Sequence, residues 1–188
     1  IDNGSLNRTE KYVLIYVFAL LAFGVAMSWA DLRWFNEVYA IEDGFIETLT
    51  VLGLLMVAFL SAKYVAKFAS KRHWMFTAAM LFLCLFALFA AGEEISWGQR
   101  IFGVESSEFF RKNNAQGETN LHNLVVGGVK INKLLFSQLF TLGAALYLLV
   151  LPLLYRRNQG FRNWVDRSGI PVPRWDQSAA VGLGSLFT

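Results

Sequence analysis

Four stretches of the chain are apolar almost without interruption, at 12–30, 45–62, 74–92 and 134–155, and most polar positions gather in the segments between them. Each run is long enough to cross a bilayer, which takes about 20 apolar residues in helical form. None shows the apolar–polar alternation over ten-residue units that a membrane barrel strand requires. The pattern predicts an all-α polytopic integral membrane protein, a bundle of four transmembrane helices. The connection 93–133 is long for a link between packed helices and carries its own helical pattern, opening at Ser106 or Ser107. Loops of that length are usually functional. Residues 1–188 read as a single transmembrane domain with a cytoplasmic or interfacial tail over 156–188. The apolar stretch 178–187 suits either a buried flap or the start of a fifth span.

Composition supports the membrane assignment. Apolar residues make up 55% of the chain and charged residues 16%, against about 25% charged in a soluble domain. Mean hydropathy is +0.42. The single cysteine, Cys84, forms no intrachain disulfide and excludes thiolate-rich zinc sites. The net charge of +3 does not point to nucleic acid, because basic residues flank membrane spans on the cytoplasmic side. Eleven of the 17 basic residues fall on one side: Arg8, Lys11, Lys63, Lys67, Lys71, Arg72 and the five arginines of the tail. Acids collect in the other connections, among them Asp31, Glu37, Glu42, Asp43, Glu93, Glu94 and Glu118. Both termini are therefore expected in the cytoplasm, with the acidic connections outside. In the tail, Phe161, Trp164 and Trp175 interleave with arginines, which suits an interfacial anchor.

The candidate chemistry lies at the acidic side. A helix ending at Gly92 would set Glu93 and Glu94 against the negative end of its dipole, so the third span is expected to continue to about Phe102. Glu93, Trp97 and Arg100 would then share a face at i, i+4 and i+7. One glutamate would pair with Arg100, and the other would bind a metal or take a proton. Glu118 precedes His122 by four residues, and on a helix the two would share a face. Glu47, in the first turn of the second span, lies at the same membrane side, where Asp43 is placed to cap the helix. The expected catalytic set is Glu93, Glu94 and Arg100, and the expected ligands of a divalent metal are Glu47, Glu118 and His122. His73, among Lys71 and Arg72 on the opposite side, reads as an interfacial residue.

The Glu93-Glu94 pair, Arg100 and the later His122 resemble, over about ten residues, the glutamate–arginine and histidine motifs of CAAX-type intramembrane proteases. That family places its arginine closer to the pair and has a second histidine motif, and His73 falls on the wrong side to supply it, so the family is not assigned. The residues suit a metal-dependent hydrolase or transferase acting on a lipid or lipid-linked substrate. The alternative is a non-catalytic membrane subunit or sensor of a larger complex, whose charges order the long connection. The expected partners are membrane lipids and other membrane subunits, and no nucleic acid.

Overall fold

A computed structural model describes residues 8–41, 44–121, 123–131 and 138–184. The fold is all-α. In chain order it contains α1 (Arg8–Ala30), α2 (Leu32–Trp34) running into a π turn (Phe35–Tyr39), α3 (Phe45–Phe68) and α4 (Trp74–Glu94). The short helices α5 (Gln99–Phe102) and α6 (Glu108–Asn113) and a hairpin of β1 (Val125–Val126) and β2 (Val129–Lys130) follow. Then come α7 (Phe140–Ala145), a π turn (Leu146–Val150), α8 (Leu151–Arg157), α9 (Gln159–Ser168) and α10 (Trp175–Gly184). Four helical stretches are long and apolar enough to cross a membrane: α1, α3, α4 and the continuous run Phe140–Arg157. The chain is an integral membrane protein by that measure.

The spans differ from the apolar runs at their ends. α3 extends past Ala62 to Phe68 and takes in Lys63 and Lys67. Lysine stems lie along apolar surface while their heads reach water, and a cation in the last turn favours the dipole. The fourth span carries Pro152 in its second half, and helix continues beyond it to Arg157. A proline lacks the N–H for an α bond, and its ring clashes with the carbonyl four residues back. The backbone just before it widens into the π turn Leu146–Val150, where the Leu151 N–H reaches Leu146.

The contacts divide the chain into two compact units, residues 1–46 with 176–188, and residues 47–175. In the first, Tyr39 folds back on α1 and donates to the Leu20 carbonyl at 2.7 Å. Its ring packs edge-on to Phe23 and lies against Gly24, where an added Cβ would meet the ring at 2.7 Å. Burial, and then the nearby Tyr16, raise the Tyr39 hydroxyl above the ordinary tyrosine pKa.

In the second unit, α4 is the most buried span. Phe76, Met80, Ala87 and Ala91 form its inward stripe, spaced for one helical face. α9 packs against α4 and α8, burying Val165 and Ser168. Gly169 ends α9 with φ of 64°, and an added Cβ there would sit 2.5 Å from the Phe76 ring. Arg162 turns back to donate to the Tyr155 and Arg156 carbonyls at 3.1 and 3.2 Å, satisfying the open end of α8. His73 caps α4 by accepting from the Met75 N–H at 3.3 Å.

Candidate functional site: a locked connection at the end of α4

The continuous helix expected from Gly92 to Phe102 is not formed. α4 ends at Glu94, and the chain turns through Ser96, Trp97 and Gly98, with φ of 48°, 55° and 74°, before α5 resumes. The left-handed region is uncommon for a serine and an outlier for a bulky tryptophan. Such residues cost about 1–3 kcal/mol each and persist only where their surroundings over-determine them. The turn swings Trp97 back over α4, where Gly92 leaves room; a Cβ on Gly92 would come within 2.9 Å of the indole. The indole also meets Phe89 edge-on at 5.8 Å.

Glu93 is 4% exposed and has both oxygens engaged. Oε1 accepts from Trp97 Nε1 at 2.9 Å, and Oε2 accepts from the Leu121 N–H at 2.6 Å. The unfavourable dipole that motivated the longer helix is therefore offset by donors from outside the helix. A carboxylate taking two such bonds is well held, since hydrogen bonds to charged groups are worth about 1.5–3 kcal/mol each.

Glu118 is the second hub. It was expected on a helix shared with His122, but it lies in irregular backbone. Its carboxylate takes a two-pronged grip from Arg100, Nε to Oε1 at 3.0 Å and Nη2 to Oε2 at 3.1 Å. Ser96 Oγ donates to Oε2 at 2.6 Å, and Asn120 Nδ2 approaches it at 3.2 Å. Ser96 is fully buried and also accepts from Asn120 Nδ2 at 2.8 Å. The strained turn is thus held by the segment that lies over it.

Neutral side chains complete the lock. Asn114 Nδ2 donates to the carbonyl and side chain of Asn120 at 3.0 and 2.9 Å, and its Oδ1 accepts from the Gln116 and Glu118 N–H groups. Gln99 joins α5 to the overlying segment: it donates to Ser106 Oγ at 2.7 Å and accepts from the Thr119 N–H at 2.8 Å. No buried side-chain nitrogen or oxygen among the described residues lacks a partner. Sequence alone offers Ser106 only as a candidate helix start and does not single out Ser96, Gln99, Asn114, Thr119 or Asn120. The available signal was the density of amides and hydroxyls in one connection of an otherwise apolar chain. The hairpin was also missed; its turn, Gly127-Gly128, has φ of 58° and 80°, which only a glycine-rich pair adopts readily.

Of the expected chemical residues, the structure brings Glu93, Arg100 and Glu118 into this network. Glu94 is half-buried and makes no hydrogen bond or ion pair among the described residues. Glu47 stands in the first turn of α3 and is not without a partner. His122, Glu42 and Asp43 lie outside the described residues. Among the described residues no three His, Cys, Asp or Glu side chains gather as a metal site. The oxygens of Glu118 face Arg100, Ser96 and Asn120. No known protein family, curated protein or solved structure matches the chain.

Proposed function

We propose that this chain is a non-catalytic multi-pass membrane protein, a subunit or sensor of a larger complex, in which the connection after α4 is a preformed docking platform on the extracytoplasmic side. One observation carries this reading: the carboxylates of Glu93 and Glu118 are filled by donors of their own connection. Acids used in that way order a loop. The platform then presents apolar side chains that the fold does not cover, among them Trp97, Ile101, Phe102 and Val104, with Phe102 78% exposed. Aromatic side chains held rigidly at a surface are favourable anchors for a partner, because little freedom is lost on binding. The test is native electrophoresis of the protein extracted from its membrane in mild detergent. The wild-type chain should migrate in an assembly containing another polypeptide, and Ile101→Glu with Phe102→Glu should release it at an unchanged melting temperature. A wild-type chain that migrates alone would overturn the reading.

Glu94 favours a second reading. An acid at the end of a span, with no side-chain partner among the described residues, is placed to move a proton for a hydrolase or transferase acting on a lipid-linked substrate. In that case Glu94→Gln should abolish function in cells while insertion and thermal stability stay at wild-type levels. Function retained by Glu94→Gln removes this reading.

A further inference from the structure

At the end of unit 47–175 remote from the locked connection, an open groove of about 470 Å³ runs between α3 and α4. Val57, Leu60, Tyr64 and Phe68 line it from α3, and Phe76 and Met80 from α4. Gly169, Pro171 and Arg72 also line it. From Val57 to Phe68 the wall follows three turns of helix, roughly 16 Å at 1.5 Å per residue. That is close to the hydrocarbon depth of one leaflet, about half of a 30 Å core.

The charge of the segment that brings Arg72 to the groove is one-sided. Lys63, Lys67, Lys71 and Arg72 lie in ten consecutive positions without an intervening acid, and none forms an ion pair among the described residues. The Arg72 guanidinium rests over the Phe76 ring, 5.7 Å from its centroid, on the lining of the groove itself. This cation–π contact holds the guanidinium at the groove while its N–H donors stay available, which is the arrangement that suits phosphate. We propose that this groove binds one chain of an anionic phospholipid, with the lipid phosphate on Arg72 and Lys71. The match is of two kinds: an apolar channel of leaflet depth for the acyl chain, and Arg72 on its lining, with the basic run 63–72 next to it in sequence, for the headgroup. Basic pockets between spanning helices bind anionic headgroups for the same reason.

Native mass spectrometry of the full chain, with phosphatidylglycerol and phosphatidylcholine of identical acyl chains, tests the assignment. Phosphatidylglycerol should be retained several-fold better than phosphatidylcholine. Arg72→Gln should cut that preference about fivefold, the value of one near-surface cation, and Lys71→Gln added to it should cut it further. Leu60→Trp, which narrows the groove from an exposed wall position, should weaken retention of both lipids. Each variant is read beside its melting temperature, and Arg72→Lys should restore part of the preference. Equal retention of the two lipids, or an Arg72→Gln chain that keeps the wild-type preference, would overturn the proposal. So would glycerol phosphate binding as tightly as phosphatidylglycerol, since the acyl chain would then contribute nothing.

Discussion

Trp97 shows how one residue settles the end of a span. Its left-handed backbone, φ 55°, is repaid by an indole laid on Gly92 and by a hydrogen bond to the buried Glu93. Gly92→Ala should disrupt this contact, because the new methyl would sit 2.9 Å from the ring. Overpacking of that kind costs about 1–3 kcal/mol, and the melting temperature in detergent should fall accordingly. An unchanged value would mean that Trp97 does not lie there. Glu93 was legible in the sequence as a special residue, since acids beside an apolar run demand partners, and Glu118 was singled out by its four-residue spacing to His122. Their partners were not legible. Leu121 contributes a backbone N–H, which every residue but proline carries, and Ser96 and Asn120 act through a turn that no local pattern encodes.

At the scale of elements, the spans were readable because apolar length alone defines them, whereas their irregularities depend on single residues. The π turn before Pro152 is one such case. Pro152→Ala restores the missing N–H and removes the ring clash, so Leu146–Val150 should relax towards α geometry. The change should raise or leave unchanged the melting temperature, and a loss of more than about 1 kcal/mol would show that the buried proline ring contributes more through packing. α9 offers the opposite test. Val165 is 1% exposed where α9 meets α4, and Val165→Ala should cost about 1–2 kcal/mol through lost burial and a residual cavity. Helix α6 was legible from Ser107 and Glu108, at its N-cap and in its first turn. The break after Glu94 was not, because the dipole argument for a longer helix ignored a donor arriving from 28 residues away, the Leu121 N–H.

For the whole molecule, orientation rests on the distribution of basic residues, and the roles of the acids rest on the locked connection. With Cys84 replaced by serine, Ala115→Cys should react with an impermeant thiol reagent from outside intact cells, and Lys67→Cys should be protected. The reverse pattern would invert the proposed topology. The central claim is that Glu93 and Glu118 hold the connection in place and that Glu94 does not. Amide hydrogen exchange across 114–124 measures it most directly, because the Leu121 and Thr119 N–H groups bond to Glu93 and Gln99. Glu93→Gln leaves one acceptor for two donors, so a buried amide NH2 faces either the Leu121 or the Trp97 N–H, at a cost of about 1–3 kcal/mol, and Glu118→Gln removes the charge that Arg100 and Ser96 grip. Both variants should speed exchange through this segment at least several-fold, with Glu94→Gln matching the wild type; wild-type protection in Glu93→Gln and Glu118→Gln would contradict the account.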